Sequence, residues 1–305
     1  AFAYWEKNTP DQLMFHQPFM QGPVTMNYKE AGIEIRKMAQ ALINMDYAPK
    51  SKIALLSKNC SHWIMADLAI QMAGHISVPI YPTINADSIA QIMTHSESKA
   101  VIIGKLDNYK TQKSGLKNFI KIGINAYQIE EKLSWEDMVE SSEALEELPE
   151  QKAEDLLTIM YTSGTTGPPK GVMHSVGSFT EVTNTAVKAI GLNTKKPRFF
   201  SYLPLTHIAE RIGIEMFGLY QGGSFNFPLS IETFADDLAA TQPDLFFAVP
   251  RIWTKFQDKI LKTIPQEKLN FLLKIPLLNS IIRNKIKKKL GLMDTQAIFT
   301  GAAPI

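Results

Sequence analysis

Short apolar strands alternate with helical segments over the first half of the chain, and this alternation limits the fold more than any other feature. Strands are predicted from apolar runs, and helices from apolar residues at helical spacing. The predicted strands are Lys52–Ser57, His75–Tyr81, Ala100–Gly104 and Leu156–Tyr161, and the predicted helices are Tyr28–Met45, Ser61–Met72 and Ala86–Ser96. Strands that alternate with helices favour parallel pairing. The sequence therefore predicts an α/β fold with mainly parallel sheets flanked by helices.

The second half of the chain continues this pattern. Further strands are predicted at Phe199–Leu203, Ser224–Phe227, Leu245–Val249 and Ala297–Thr300, and helices after Ser175, Ile208 and Ser230. Ser61 is the expected N-cap of the helix that it begins. A length of 305 residues permits one large domain or two ordinary ones.

Composition excludes several classes of protein. Apolar residues make up 45% of the chain and charged residues 20%, which permits a large core and argues against disorder. A formal net charge of +2 gives no basic face for nucleic acid, so no nucleic-acid partner is expected. The single cysteine, Cys60, excludes an internal disulfide framework and fits a reducing compartment.

A loop rich in glycine and hydroxyl side chains follows the predicted strand 156–161. Its sequence over residues 161–171 is YTSGTTGPPKG. Gly164 and Gly167 permit tight turns and a close approach of the backbone to a ligand. Four hydroxyl groups and the backbone N–H groups can form a nest for an anion, and Lys170 adds positive charge for a polyphosphate. The loop is therefore predicted to bind phosphate groups.

The loop differs from the Walker A pattern G-x-x-x-x-G-K-[ST] at two positions. Pro169 replaces the second glycine, and Gly171 follows Lys170 where Ser or Thr is required. Pro168 and Pro169 also lack backbone N–H groups. A P-loop kinase or GTPase is therefore not expected.

The same loop resembles, throughout its length, the signature loop of the adenylate-forming superfamily of acyl-CoA synthetases, luciferases and peptide-synthetase adenylation domains. Residues 201–211 (SYLPLTHIAER) are similar to a second core motif, in the form common in long-chain acyl-CoA synthetases. Residues 249–253 (VPRIW) are similar to another segment of that branch. Residues 77–83 resemble the family's early strand and turn, and residues 300–305 resemble the start of its adenine- and acyl-binding segment. The resemblance covers essentially the whole chain.

The resemblance implies an ATP-dependent long-chain fatty acid:CoA ligase. A fatty-acid carboxylate displaces pyrophosphate from ATP to form an acyl-AMP, and CoA then takes the acyl group and releases AMP. The implied ligands are ATP, Mg²⁺, CoA and a fatty acid. Lys170 and His207 are the implied catalytic residues, and Thr162 is the implied magnesium ligand. The implied cofactor-binding residues are Thr162, Ser163, Gly164, Thr165, Thr166, Gly167, Lys170, Ile208, Thr300, Gly301, Ala302 and Ala303.

The resemblance also implies two α/β subdomains with the nucleotide bound between them. The first is expected over residues 52–205, including the phosphate loop, and the second from residues 1–51 together with 206–305. The family's later motifs, its hinge and its small C-terminal domain with a catalytic lysine follow the part that residues 1–305 match. We therefore expect a truncated AMP-binding domain without the small C-terminal domain, and little or no ligase activity from these residues alone.

Several alternatives remain open. The acyl acceptor could be a carrier protein instead of CoA, and the protein could be an inactive relative that binds nucleotide or lipid. Lys170 could be a surface lysine that only closes the loop, and His207 could be a core histidine. Some relatives have a bulky aromatic gate four residues after the motif histidine, but that position is Arg211 here, so an aromatic-gated tunnel is not implied.

A basic amphipathic stretch covers residues 271–290. It mixes leucine and isoleucine with six lysine and arginine side chains. Such a stretch either lies on an anionic membrane surface or packs its apolar side on its own domain. The expected location is cytoplasmic, with peripheral attachment to the inner face of a membrane as the alternative.

Overall fold

The chain folds around two β-sheets, which the computed structural model describes over residues 1–162 and 169–301. The strands are β1 (Leu13–Gln17), β2 (Val24–Asn27), β3 (Lys52–Leu56), β4 (Ile76–Ile80), β5 (Ala100–Ile103), β6 (Ile120–Gly123), β7 (Leu133–Ser134), β8 (Leu156–Thr162), β9 (Lys170–Ser175), β10 (Arg198–Phe200), β11 (Ser224–Asn226), β12 (Leu245–Ala248) and β13 (Ala297–Thr300).

Helices cover much of the remaining chain. They are α1 (Phe2–Asn8), α2 (Tyr28–Ile43), α3 (Ser61–Met72), α4 (Ala86–His95), α5 (Tyr109–Gln112), α6 (Trp135–Glu140), α7 (Val176–Ile190), α8 (Ile208–Glu210), α9 (Phe217–Gln221), α10 (Phe234–Thr241), α11 (Pro250–Thr263), α12 (Gln266–Lys274) and α13 (Pro276–Leu290). A π-helical turn, Arg211–Met216, joins α8 to α9. Within the described ranges, no helix is both long and apolar enough to cross a bilayer.

Both sheets are mainly parallel, which confirms the predicted α/β class. The seven-stranded sheet has the order β7-β6-β5-β3-β4-β8-β9, and only β9 runs antiparallel to its neighbour. The six-stranded sheet has the order β13-β12-β10-β11-β1-β2, and only β2 runs antiparallel. Helices pack on both faces of each sheet, as parallel crossovers require.

The predicted boundary between subdomains at residue 205 assigns strand β10 to the first subdomain, but β10 pairs within the six-stranded sheet of the second. Strand β10 pairs with β11 on one side, Phe199 lying opposite Phe225, and with β12 on the other, Phe199 lying opposite Leu245. It therefore lies inside the six-stranded sheet, although the prediction grouped it with residues 52–205. Its two hydrogen-bonded neighbours come later in the chain, and spacing along the sequence does not reveal such pairing.

Side chains of the seven-stranded sheet alternate between two cores. Ile53 and Leu55 of β3 pack in the core that contains α2 and α3, whereas Ala54 and Leu56 pack in the core that contains α4. Successive side chains of a strand point to opposite faces, so a strand covered on both sides must be apolar throughout. This requirement explains why β5 is a continuous apolar run and why β3 is apolar after Lys52.

Helices α2 and α3 lie between the two sheets. One continuous core joins them to Phe15 and Phe225 of the six-stranded sheet and to Ile53 of the seven-stranded sheet. On its other face the six-stranded sheet packs Phe200 and Phe246 against α10 and α11. Each sheet with its helices is here called a lobe. The two lobes therefore share their largest core.

The predicted N-cap of α3 is wrong by one residue. The helix begins at Ser61, and its cap position is Cys60, whose side chain makes no capping hydrogen bond. The Ser61 N–H instead donates to the Gln17 side-chain oxygen, at 2.9 Å. Because Gln17 belongs to β1, the start of α3 is satisfied by a distant part of the chain, which local sequence does not indicate.

A fully buried arginine connects the lobes. The guanidinium of Arg211 in the π-helical turn lies 2.6 Å from the Asp67 carboxylate of α3 and 2.8 Å from that of Glu215. It also lies 4.9 Å from the ring centroid of Trp63, at a distance typical of a cation–π contact. Arg211 and Glu215 have no exposed surface, and Asp67 has 1%. The position expected from some relatives to hold an aromatic gate is thus occupied by a buried ion pair.

One guanidinium cannot neutralise two buried carboxylates. Burial raises the pKa of Glu215 to about 8, and nearby Asp67 and Glu210 add to the rise, while Arg211 opposes it. A proton on Glu215 leaves one carboxylate to pair with the arginine. Removing the arginine would therefore leave a buried charge with no partner.

We expect Arg211→Met to lower the free energy of unfolding by about 3–5 kcal/mol, because it leaves the Asp67 carboxylate buried without a cation. Urea unfolding followed by circular dichroism measures this change. The matched control is Arg283→Met on the exposed side of α13, which should change stability by less than about 0.5 kcal/mol. Adding Asp67→Asn and Glu215→Gln to Arg211→Met should restore part of the loss. Equal unfolding midpoints for the Arg211 and Arg283 variants would contradict the role of this ion pair.

A largely enclosed histidine, His62, lies in the first turn of α3 and faces α2. The His62 ring is 3.2 Å from the Tyr127 hydroxyl and packs edge-on against Trp135. Burial lowers the pKa of His62 to about 4. In the unfolded chain the pKa of a histidine is about 6.5. Between about pH 4 and 6.5, the unfolded chain therefore binds the proton more readily than the folded chain. The contribution of neutral His62 is therefore complete above pH 6.5 and is lost as the pH falls towards 4.

We expect the His62→Gln variant to lose less stability in acid than the unsubstituted protein does. Over the window from about pH 6.5 to 4, this histidine can account for a loss of about 3 kcal/mol in the free energy of unfolding. Urea unfolding at several pH values in this window measures the difference between the two proteins. If their stabilities fall in parallel, His62 is not the group that titrates.

Candidate functional site

The carboxyl ends of the parallel strands of the two sheets face each other. Lys105 follows β5, and its ammonium donates to the carbonyl oxygens of Pro228 and Leu229, which follow β11, at 2.9 Å each. Asn59 follows β3 and donates to the Leu203 carbonyl after β10, at 2.6 Å. In open parallel sheets, ligands bind beyond the carboxyl ends of the strands. The facing edges therefore define the candidate site.

Asn59 fixes the start of the motif over residues 201–211. Its amide donates to the Ser201 hydroxyl at 2.8 Å and accepts from the Leu205 N–H at 3.2 Å. The buried Glu210 carboxylate accepts from the Ser201 hydroxyl at 2.9 Å and from the Tyr202 N–H at 3.0 Å. Burial raises the pKa of Glu210 to about 8, although these hydrogen bonds oppose the rise. Buried hydrogen bonds thus hold both ends of the segment 201–211 in place.

His207 caps the helix that follows this segment. Its Nδ1 accepts from the Ala209 N–H at 3.2 Å, and its backbone N–H donates to the Pro204 carbonyl at 2.8 Å. An Nδ1 that accepts requires the ring proton on Nε2 when the imidazole is neutral. His207 is exposed, which excludes the alternative of a core histidine, and Ile208 beside it is 40% exposed.

The strands that flank the predicted phosphate loop, β8 and β9, form a β-hairpin. Thr162 at the end of β8 and Lys170 at the start of β9 are opposite each other in the antiparallel ladder, and both are exposed. The hairpin therefore brings the two ends of the loop together at the carboxyl edge of the seven-stranded sheet. The predicted residues Ser163, Gly164, Thr165, Thr166 and Gly167 lie outside the described residues.

Gly171 in this motif has a packing role. A Cβ atom at this position would lie 2.6 Å from the Ile159 side chain and 3.1 Å from the Tyr161 ring. Any larger residue would push the two strands apart. Tyr161 is held in turn by the His95 ring, whose Nδ1 is 2.7 Å from its hydroxyl. The motif therefore combines ligand chemistry in its loop with a steric requirement in its second strand.

The last predicted group ends β13. Thr300 lies opposite Ala248 of β12 and is exposed. Gly301 follows it, and a Cβ atom added at Gly301 would lie 3.7 Å from the Phe247 ring. Ala302 and Ala303 lie outside the described residues. The described members of the predicted site thus occur in three groups, at the ends of β8, β10 and β13.

A cleft of about 710 Å³ lies between the lobes at the same edge. Four lysines line it, two from each lobe: Lys58, Lys105, Lys255 and Lys259. Aromatic side chains from Tyr202, Phe234 and Phe256 and two carboxylates, Asp107 and Glu232, complete much of the wall. Burial lowers the pKa of Lys105, and nearby Lys58 adds to this effect. The cleft offers positive charge and flat apolar surfaces together.

None of the sequence motifs indicates these cleft residues. Lys58 and Asn59 directly follow the predicted strand 52–57, and Lys105 follows the predicted strand 100–104. The rule that ligands bind at carboxyl ends would have indicated them. Lys255 and Lys259 of α11 gave no comparable signal, because their place depends on how the two lobes pack.

Magnesium is implied by the resemblance, and the described residues offer it few ligands. Within residues 1–162 and 169–301, no three His, Cys, Asp or Glu side chains converge on a possible metal position. The Thr162 hydroxyl is exposed next to the phosphate loop and is a hard oxygen ligand. Mg²⁺ commonly takes one or two protein oxygens together with phosphates and waters. Thr162 therefore fits the role of a single protein ligand.

Comparison with known proteins agrees with the fold and the motifs. The chain is 29% identical to long chain acyl-CoA synthetase 5 of Arabidopsis thaliana, over 92% of this chain and 48% of that protein. It spans about half the length of the curated relatives that it matches.

Solved structures share the fold. The inhibitor-bound N-terminal domain of FACL13 from Mycobacterium tuberculosis aligns with a TM-score of 0.76 and 22% identity, over 100% of this chain and 69% of that one. The o-succinylbenzoate CoA synthetase of Bacillus subtilis, in complex with AMP, aligns with a TM-score of 0.71 and 17% identity, over 100% and 68%. The family model described as AMP-binding enzyme matches residues 2–305. The chain therefore belongs to the AMP-binding enzyme family.

Proposed function

We propose that this chain is the nucleotide-binding part of an ATP-dependent long-chain fatty acid:CoA ligase that forms an acyl-AMP. The observation that supports this most strongly is the hairpin that pairs Thr162 with Lys170 at the carboxyl edge of the sheet, within an AMP-binding domain. The names of the relatives support the choice of a long-chain fatty acid and CoA. The AMP bound to a structural neighbour supports the choice of an adenosine nucleotide.

The reaction has two displacements. In the first, a carboxylate oxygen of the fatty acid bonds to the α-phosphorus of ATP while the bond from that phosphorus to pyrophosphate breaks. In the second, the sulfur of CoA loses its proton and bonds to the acyl carbon, and the bond from that carbon to AMP breaks. The first step depends mostly on positioning and on stabilising negative charge. Exposed donors and cations at the facing edges suit that requirement.

Lys170 and the hydroxyl groups of the hairpin bind the β- and γ-phosphates in this proposal. The exposed ammonium of Lys170 pairs with phosphate oxygens, and the charge-assisted contact favours pyrophosphate as a leaving group. The Thr162 hydroxyl contributes to holding magnesium, which when bound supplies positive charge to the phosphate oxygens.

His207 acts as a hydrogen-bond donor in this proposal and not as a base. Its Nδ1 already accepts from the Ala209 N–H, so Nε2 holds the proton. An Nε2–H can donate to the fatty-acid carboxylate or to an α-phosphate oxygen. Because Asn59 and Glu210 fix the preceding segment, the ring is held before the substrate binds.

We expect the full-length protein to exchange pyrophosphate into ATP when a long-chain fatty acid is present, and to release AMP once CoA is added. Lys170→Met should lower kcat/KM for ATP by about tenfold to a hundredfold, the usual effect of losing one charge-assisted contact. The matched control is Lys188→Met on the exposed face of α7, which should leave exchange unchanged. If no carboxylic acid stimulates exchange, the proposal fails. If the Lys170 and Lys188 variants behave alike, Lys170 does not bind the phosphates.

The lysine-lined cleft is the proposed site for the phosphate groups of CoA. Lys255 and Lys259 are exposed side chains of α11 that line the cleft, and Tyr202 and Phe256 offer flat surfaces for a base. A carrier protein as acceptor would present its phosphopantetheine arm without the adenosine phosphates of CoA. The dependence of activity on these lysines therefore separates the two acceptors.

We expect the double variant Lys255→Met and Lys259→Met to raise KM for CoA by about tenfold or more, because two charges next to phosphates are lost. Exchange of pyrophosphate into ATP, which needs no CoA, should stay unchanged. The matched control is Lys262→Met, which is exposed on the same helix but does not line the cleft. An unchanged KM for CoA in the double variant would place CoA elsewhere, and transfer to a carrier protein in preference to CoA would support the rival acceptor.

A further inference from the structure

Two consecutive helices form a strongly basic unit. Helices α12 and α13, here called the basic helix pair (residues 266–290), contain seven lysine and arginine side chains and one glutamate. Their formal charge is thus +6 in a chain whose total is +2. The rest of the protein is net negative, so the positive charge is concentrated in this pair. The concentration predicts an anionic partner.

The same helices expose large apolar side chains. Leu277 is 82% exposed, Phe271 is 64% exposed and Ile281 is 62% exposed. Neither helix contains a fully buried residue. The pair therefore does not pack a complete apolar side on the described part of its own domain, as one of the two sequence-based alternatives required.

The pair is nevertheless attached to a defined place. The Asn279 amide donates to the Leu273 carbonyl at 2.7 Å and so joins α13 to the end of α12. At the other end of α13, the Gln242 side chain donates to the Lys288 carbonyl at 3.2 Å, and Leu290 and Leu292 pack with Leu238 of α10. One end of the pair is thus held by the six-stranded sheet's outer core, while its exposed apolar side chains lie towards the α12–α13 junction.

Apolar and basic side chains share one side of α13. Leu277, Ile281 and Lys285 are spaced by four residues, and so share a face. Lys288 follows Lys285 by three residues on the same side. An acidic protein or a nucleic acid would pair with the lysines but would leave Phe271, Leu277 and Ile281 in a polar setting. The interface of an anionic bilayer offers acidic headgroups and acyl chains together.

We propose that the basic helix pair is a docking surface for membranes that contain anionic lipids. Phe271, Leu277 and Ile281 enter the boundary between headgroups and acyl chains, and the lysines pair with the headgroups. Each basic side chain near such a surface adds attraction that weakens with salt. The surface is separate from the hairpin and from the cleft, so membrane binding does not depend on the proposed enzymatic function.

We expect the full-length protein to sediment with phosphatidylcholine vesicles that contain phosphatidylserine, and to sediment much less with phosphatidylcholine alone. High salt should release it. Two variants separate the contributions: Lys285→Gln with Lys288→Gln removes charge, and Phe271→Ser with Leu277→Ser and Ile281→Ser removes apolar contact. Each should lower the vesicle partition coefficient by about tenfold or more. The matched controls are Lys188→Gln and Met20→Ser, exposed side chains elsewhere that should have no effect.

Exchange of pyrophosphate into ATP with a soluble fatty acid is the second measurement, and both variants should retain it. Retained exchange shows that the variants are folded, and it keeps a failure of membrane binding distinct from a failure of the proposed activity. Sedimentation that is absent, or equal for variants and unsubstituted protein, overturns the proposal. Salt-sensitive retention on an acidic carrier protein, without binding to vesicles, would identify a protein partner instead and would equally overturn it.

Discussion

The contact between Asn59 and residues 201–205 fixes how the two carboxyl edges face each other. A single amide donates to the Ser201 hydroxyl and the Leu203 carbonyl and accepts from the Leu205 N–H. All of these groups would need water if the lobes separated, and leaving them unpaired in a buried setting would be costly. The shared core around α2 and α3 brings the lobes together, but it is non-directional. The directional contacts at Asn59 determine which backbone segment reaches the site.

Helix α8, which His207 caps, is held on both sides by buried polar side chains. Glu210 binds back to Ser201 and Tyr202, and Arg211 binds forward to Asp67 on the other lobe. Burying an ion pair seldom adds net stability, because desolvation offsets most of the Coulomb attraction. Breaking it is expensive, however, so it resists any shift of the π-helical turn against α3. These buried polar contacts thus fix one position for His207 where apolar packing would tolerate several.

Most of the fold was predictable because its strands are buried on both faces. Continuous apolar runs such as 100–103 are visible in sequence, and all of the predicted strands occur within a few residues of their expected bounds. Features that depend on distant partners were not predictable. Strand β10 was grouped with the wrong sheet. At the start of α3, the side chain of Gln17 from β1 accepts the hydrogen bond of the Ser61 N–H, which local sequence does not show. The buried partners of Arg211 gave no local signal either. The motifs predict a site at Thr162, Lys170 and His207, which stays a prediction, whereas the lysines of the cleft become visible only in the three-dimensional packing.

The strand order of the seven-stranded sheet sets the distance between the proposed sites for the phosphates of ATP and of CoA at its carboxyl edge. From β8, which ends at Thr162, the seven-stranded sheet continues through β4 to β3 and β5, after which Lys58 and Lys105 follow. Neighbouring strands are about 4.8 Å apart, so these lysines lie about 10 and 14 Å along the sheet from the hairpin. The Debye length at physiological ionic strength is about 8 Å, so charges at that distance in solvent repel each other only weakly. The proposed sites for ATP at the hairpin and for CoA in the cleft are thus compatible, because phosphates bound at both would not strongly oppose each other.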